Sequence, residues 1–95
     1  MKESVKFTQY VDPGHSWVRV PLKMLDKLSI ANKISHYSYQ RTDYVYLEED
    51  CDFSVFLSAM EARGQKVVLV SKYTDRQSRI RGYLPYISPV SFTHS

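Results

Sequence analysis

The stretch HYSYQRTDYVYLEED, residues 36–50, holds four tyrosines in two pairs around a short polar segment. On both sides of that segment large residues alternate with other types, which is typical of two β-strands joined by a turn. A turn centred between residues 41 and 42 would pair these tyrosines across the hairpin: Tyr39 with Tyr44, and Tyr37 with Tyr46. Opposed residues share a sheet face, so this register predicts all four tyrosines on one side.

The register depends on the length of the turn. Arg-Thr is not a preferred two-residue hairpin turn, and an odd loop length would place the two tyrosine pairs on opposite faces. With the even loop, the other face of the hairpin carries these side chains: His36, Ser38, Val45 and Leu47.

Patterns on either side of the hairpin predict further elements. Residues 5–10 and 16–20 alternate like strands and are separated by DPGH, a strong turn signal. Pro21 and the apolar spacing of residues 22–28 predict a short helix. Residues 50–63 predict a second helix, with Asp50 or Asp52 as N-cap and Gly64 as the C-terminal stop. Residues 66–73, with four consecutive apolar side chains, predict a strand central enough to be buried.

The predicted order is therefore β-β-α-β-β-α-β. It indicates an α+β fold, with a small, mostly antiparallel sheet of about five strands and two helices packed on one face. The opposite face would be exposed or covered by a partner. Residues 1–83 would form a single domain, and residues 84–95, which are rich in proline, an extended C-terminal tail.

Composition limits the function classes. A chain of 95 residues suffices for one domain with one core. The net charge of +3 argues against a DNA mimic, which needs a strongly acidic face, and is compatible with nucleic acid. The single cysteine excludes an internal disulfide and thiolate-rich zinc sites, which favours a cytoplasmic location. No apolar run is long enough for a membrane helix.

No motif points to catalysis. The cluster EEDCD, residues 48–52, is either a charged helix start or a hard-cation site, and the first reading is favoured because no glycine-shaped loop accompanies it. Carboxylates beside Cys51 would raise its pKa rather than activate it, so we expect a buried structural cysteine. The three histidines, His15, His36 and His94, lack metal-ligand spacing. We expect neither enzymatic activity, nor a cofactor, nor a metal.

The segment His15-Ser-Trp17 follows the first turn and has two interpretations. Trp17 anchors the core with His15 hydrogen-bonded nearby, which is the usual situation of a tryptophan, or the two residues belong to a binding site.

Tyrosine and arginine supply the candidate binding residues. Aromatic rings on a sheet stack nucleobases, arginine and lysine contact phosphates or acidic protein surfaces, and both Tyr and Arg are enriched at protein–protein hot spots. The candidates, for a partner or nucleic acid, are Tyr37, Tyr39, Arg41, Tyr44, Tyr46, Lys72, Arg76, Arg79 and Arg81. The competing interpretation is that tyrosine pairs only stabilise the sheet and that the arginines only solvate a tail.

Three phrases, DPGHSWVRVPLKML, KISHYSYQRTDYVYLEEDCD and TDRQSRIRGY, resemble a family of short uncharacterised proteins encoded by phages and bacterial mobile elements. The resemblance covers roughly residues 7–83 and brings no catalytic residue with it. It implies the cytoplasm of a bacterial host cell and stoichiometric binding to a host protein or nucleoprotein complex. We therefore expect an inhibitor of a host defence complex, of anti-CRISPR or anti-restriction type. The alternative is a small RNA- or DNA-binding regulator.

Overall fold

The computed structural model describes residues 3–88 as one six-stranded sheet with two α-helices. The strands are β1 (Glu3–Val11), β2 (Ser16–Pro21), β3 (Tyr39–Arg41), β4 (Tyr44–Glu48), β5 (Gln65–Tyr73) and β6 (Leu84–Pro85). The α-helices are α1 (Leu22–Lys27) and α2 (Asp52–Ala62), and short 3-10 turns cover Ala31–Lys33 and Arg79–Gly82. The α+β class and the predicted order of strands and α-helices from β1 to β5 are confirmed.

The strands lie in the order β5-β1-β2-β4-β3-β6, and all neighbours are antiparallel except β1 and β5, which are parallel. The prediction that residues 66–73 form a central strand is wrong. Strand β5 is an edge strand, and Val70 in its middle is 48% exposed. This strand pairs with only one neighbour, β1, because the chain leaving α2 joins the sheet on the outer side of β1.

One face of the sheet packs against both helices and forms the main core. Buried side chains from the strands, such as Phe7, Val20 and Val45, meet Leu25 of α1 and Phe56 of α2. Phe7 and Phe56 contact edge to face, with ring centroids 5.1 Å apart. The prediction that both helices cover one face is therefore confirmed, and the opposite face is left to form the candidate site.

The hairpin of β3 and β4 turns one residue later than predicted. Tyr39 lies opposite Tyr46 and Arg41 opposite Tyr44, so the loop is Thr42 and Asp43. The predicted pairing of Tyr39 with Tyr44 is wrong. Thr42 adopts a positive φ of 53°, the backbone conformation that a tight two-residue hairpin requires. Because the loop length remains even, three of the four tyrosines predicted to share a face do so, namely Tyr39, Tyr44 and Tyr46. The predicted pairing of Tyr37 with Tyr46 is also wrong, because Tyr37 lies before the start of β3.

Glu48 caps helix α2, a role that the sequence had assigned to Asp50 or Asp52. The carboxylate of Glu48 accepts hydrogen bonds from the backbone N–H groups of Asp50, Cys51 and Asp52 at 2.7–2.9 Å. Burial disfavours the charged form, but the three donors outweigh it and lower the pKa of Glu48. The predicted stop at Gly64 is confirmed, since that residue has a φ of 74° just after the helix.

Asp52 is buried within the first turn of α2, where it ties that helix to the segment before β3. Its carboxylate accepts hydrogen bonds from the hydroxyl and backbone N–H of Ser35 and from the hydroxyl of Ser38. The Ser38 hydroxyl also accepts from the backbone N–H of Glu48. This network fixes the start of the hairpin.

The segment predicted to be an extended tail from residue 84 begins as part of the sheet. Strand β6 pairs with β3, and Tyr86 is buried in the main core, where its hydroxyl donates to the carbonyl of Ala31. The rest of that segment, with His94, lies outside the described residues. The longer α-helix has 11 residues, so no helix within residues 3–88 could cross a membrane.

Candidate functional site

The sheet surface opposite the helices carries aromatic and arginine side chains on adjacent strands. Register places Tyr10 beside Trp17, Arg19 beside Tyr46, and Arg41 beside Tyr44. We call this surface the arginine–tyrosine face and define it by six residues: Tyr10, Arg19, Tyr39, Arg41, Tyr44 and Tyr46. Three of the predicted tyrosines and the predicted Arg41 therefore come together here.

Two guanidinium groups of this face are held against aromatic rings. Arg19 lies 4.7 Å from the ring centre of Tyr44 and 6.0 Å from that of Tyr10. Arg41 lies 5.1 Å from the ring centre of Tyr83 and donates a hydrogen bond to its hydroxyl. Cation–π contact of this kind restrains a side chain that is otherwise flexible. Both arginines are thus held in place by contacts within the protein.

The rings themselves are less accessible than a base-stacking platform requires. Tyr46 is only 8% exposed, and burial raises the pKa of its hydroxyl. Tyr44 is 37% exposed, but Arg19 covers it. The tyrosines therefore act mainly as supports for the arginines, and the exposed chemistry of this face is cationic.

Residues 74–83, which we call the strap, connect β5 at one edge of the sheet to β6 at the other. The strap crosses the arginine–tyrosine face, and its Ile80 is buried against Trp17 and Tyr46. The predicted turn or short helix in this segment corresponds to the 3-10 turn Arg79–Gly82. A small second core thus forms on the side of the sheet that was expected to be exposed or covered by a partner.

Asp12 anchors the strap to the turn between β1 and β2. Its buried carboxylate accepts two hydrogen bonds from Arg81, at 2.7 and 2.9 Å, and one from the backbone N–H of Ser78. It also accepts from the backbone N–H groups of Gly14 and His15. Hydrogen bonds from Arg81, opposed by burial and aided by the backbone donors, hold the pKa of Asp12 well below its usual range.

Arg81 was predicted to contact a partner, but its guanidinium is engaged inside the protein. Besides the ion pair with Asp12, it lies 5.5 Å from the ring centre of Trp17. We therefore leave Arg81 out of the proposed contact surface. Sequence alone gave no sign of this, since Asp12 and Arg81 are 69 positions apart.

Lys72, Arg76 and Arg79 lie along the β5 side of the arginine–tyrosine face, with exposed side chains. Lys72 is in register with Tyr10, and the two arginines line a concavity of about 450 Å³ between the strap and Tyr46. Within residues 3–88 the only charged pairs closer than 4 Å are His15 with Glu49 and Arg81 with Asp12. These three cations therefore have no carboxylate partner in the described chain.

Tyr37, the remaining predicted residue, lies just before β3 and not on the arginine–tyrosine face. It is 69% exposed and stacks on His36, with ring centroids 4.6 Å apart. Together with Trp17 and Tyr39 it borders a second concavity, of about 370 Å³, beside the start of α2.

The acidic start of α2 holds no metal-binding arrangement. No group of three or more ligating side chains comes together within the described part of the chain. Cys51 was expected to be buried, and that is wrong: its side chain is exposed at the helix start, because Asp52 takes the inward position.

Sequence reasoning missed Tyr10, Arg19 and Tyr83 as members of the site. The sequence did contain a signal for Tyr10 and Arg19. The alternation of side chains along β1 and β2 places both on the same sheet face as Trp17. No family model, no curated protein and no solved structure matches the chain. The resemblance to phage-encoded proteins therefore stays a prediction.

Proposed function

We propose that this protein is a non-enzymatic module that binds a larger partner stoichiometrically through the arginine–tyrosine face and the adjoining cations. One observation carries the proposal: five cations without a carboxylate within 4 Å in residues 3–88 surround an aromatic sheet face. The five are Arg19, Arg41, Lys72, Arg76 and Arg79.

Positioned arginines suit recognition of an anionic surface. Ring contacts hold Arg19 and Arg41 in place, so less side-chain entropy is lost when they form hydrogen bonds with a partner. Planar guanidinium groups match carboxylates and phosphates in a bidentate manner. The partner we propose is an acidic surface on a host protein or nucleoprotein complex. The expected target class is a CRISPR or restriction complex, which the protein would inhibit by occupying that surface.

A capture experiment with a matched control tests this function. The tagged protein is incubated with bacterial lysate, with and without nuclease, beside two double variants. In Arg19→Ala/Arg41→Ala the contact surface loses two charges, while Lys23→Ala/Lys27→Ala removes the same charge from the exposed side of α1. We expect a nuclease-resistant protein partner that the first variant loses and the control retains. Equal capture of the partner by both variants would show that the arginine–tyrosine face does not bind it.

Nucleic acid is the second candidate, and the cations along the strap favour it. Lys72, Arg76 and Arg79 are exposed and unpaired beside a groove, as contacts to a phosphate backbone require. If they neutralise phosphates, log affinity for mixed oligonucleotides falls with log salt by about 0.7 to 0.9 per phosphate. Arg76→Ala/Arg79→Ala would then flatten that slope by roughly 1.5 to 2 units. Lack of any binding at low salt would exclude this candidate.

A further inference from the structure

Strand β5 leaves a long edge of the sheet open. It is nine residues long and pairs only with β1, and none of its residues is buried although residues 67–70 are all apolar. Native sheets usually keep such an edge short or interrupt it with a proline or a bulge. Strand β5 contains neither, and only Lys66 and Lys72 near its ends protect it. The middle of this edge is therefore open to a further strand.

One hydrogen bond shows which backbone groups lie on the open edge. The N–H of Thr74 donates to the carbonyl of Val11 at 2.9 Å, so it points toward β1. Successive residues of a strand direct their N–H and C=O groups to opposite sides, and the register of β5 with β1 is continuous. Even-numbered residues of β5 therefore face β1. The odd-numbered residues face outward, and their backbone groups form no other backbone hydrogen bond within residues 3–88: Gln65, Val67, Leu69, Ser71 and Tyr73.

Side chains along this edge are apolar in the middle and cationic at the ends. On the side of the sheet that faces the strap, Val68 and Val70 lie between Lys66 and Lys72, and Val70 is 48% exposed. Lys6 of β1 is in register with Val68 and lies on the same side. The three lysines are exposed, and none has a carboxylate within 4 Å in the described chain. An occupant of this edge therefore meets uncompensated positive charge.

A second copy of the chain does not suit the edge. Antiparallel pairing of two β5 strands about Leu69 would use their full length, but it would set Lys66 opposite Lys72 at both ends of the pair. Like charges directly opposite each other on a sheet face are destabilising. Sliding the strands by two residues separates the lysines but leaves outward backbone groups at the strand ends without a partner. The lysines thus disfavour self-pairing and favour a strand of opposite charge.

We propose that β5 binds an extended acidic segment of a partner as an additional strand of the sheet. The outward N–H and C=O groups form the new ladder, as in other cases of strand addition to a sheet edge. The segment carries apolar side chains opposite Val68 and Val70 and a carboxylate opposite each of Lys66 and Lys72. The inference goes beyond the proposed function, because this edge acts without the arginine–tyrosine face.

Two synthetic peptides with blocked termini, ETVTVTE and KTVTVTK, test the proposal. They differ only in the charge at their ends, and their binding to the ¹⁵N-labelled protein is followed by NMR and amide hydrogen exchange. At millimolar concentration, ETVTVTE should shift and protect the outward amides of Val67, Leu69 and Ser71. The amides of Val68 and Val70, already bonded to β1, should gain little protection. Absence of this alternation, or equal effects of the two peptides, would overturn the proposal.

Reversing the charges of the edge separates recognition from folding. Lys66→Glu/Lys72→Glu should bind ETVTVTE roughly tenfold more weakly, as the loss of two exposed ion pairs implies, and should bind KTVTVTK instead. The matched control Lys23→Glu/Lys27→Glu makes the same change on the exposed side of α1 and should bind ETVTVTE like the wild type. Equal affinities of the two folded variants for ETVTVTE would show that the edge lysines do not select the partner, and the proposal would fail.

Two further measurements distinguish this edge from other binding modes. Arg19→Ala/Arg41→Ala should bind ETVTVTE like the wild type, whether or not it captures a partner from lysate. Loss of the peptide in that variant would assign the peptide to the arginine–tyrosine face and overturn the proposal. Sedimentation of the free protein should show a monomer. A dimer whose outward β5 amides are protected without peptide would assign the edge to a second copy and would equally overturn it.

Discussion

Asp12 and Arg81 form a two-pronged ion pair that fastens the strap across the sheet. The carboxylate lies at the β1–β2 turn and the guanidinium at the end of the strap, with N–O distances of 2.7 and 2.9 Å. The same carboxylate organises the turn through Gly14 and His15. One side chain therefore positions both the β1–β2 turn and the segment that carries Arg76 and Arg79.

Arg81→Met should lower the melting temperature by several degrees and loosen the strap. It leaves the buried Asp12 carboxylate without its main donor, whereas Asp12→Asn/Arg81→Met removes both charges. We expect the double variant to be more stable than Arg81→Met alone. Thermal melting checks the order, and hydrogen exchange of Ser78 and Ile80 checks the strap. If Arg81→Met melts like the wild type, the ion pair does not stabilise the fold.

The pH dependence of stability should follow Asp12. Its pKa is lowered in the folded protein, so the unfolded chain takes up the proton first as the pH falls. The stabilisation is complete above about pH 4, the usual aspartate value, and is lost progressively below it. Glu48, whose pKa is also lowered, acts in the same direction. The difference in melting temperature between wild type and Asp12→Asn should shrink between pH 6 and pH 3, and a constant difference would contradict this.

Asp52→Ala should destabilise the protein by about 3 kcal/mol. It leaves the buried donors of Ser35 and Ser38 without their acceptor at the start of the hairpin. Asp50→Ala, two residues away and exposed, should cost less than about 0.5 kcal/mol. Urea unfolding of the two variants measures both values. If Asp52→Ala costs as little stability as Asp50→Ala, the hydrogen-bond network around Asp52 does not stabilise the fold.

Tyr44→Ala should weaken partner binding without unfolding the domain. The ring supports the Arg19 guanidinium at 4.7 Å and is partly exposed, so we expect a loss in affinity of about 1–2 kcal/mol, mainly through faster dissociation. Tyr44→Phe keeps the ring and should bind almost normally. Tyr46→Ala is unsuitable for this test, because Tyr46 is buried in the second core. Unchanged binding kinetics of Tyr44→Ala would remove that ring from the site.

Cys51→Ser should leave both binding and stability close to wild type. The thiol is exposed, and the capping bond of this residue uses its backbone N–H, which serine retains. Partner capture and thermal melting are the measurements. Complete loss of function in a folded Cys51→Ser variant would reopen the class of cysteine enzymes.

The sequence by itself determined the local elements and the class of the fold. Three local signals can be recognised in the sequence because each acts within a few residues. They are the alternation along the strands, the proline before α1 and the glycine after α2. Parity along β3 and β4 likewise placed Tyr39, Tyr44 and Tyr46 on one face. The exact register was not legible, because Thr42 reaches a positive φ that its residue type does not announce.

Only the tertiary structure decided what depends on distant pairing. Strand β5 is an edge strand because it pairs only with β1. Its partners in β1 lie 62 positions earlier in the chain. Glu48 replaced Asp50 and Asp52 as the cap because strand β4 delivers its carboxylate to three N–H groups of α2. Arg81 left the candidate surface because folding brings it to Asp12. Contacts of this kind are set by the packing of the whole chain, which no local pattern encodes.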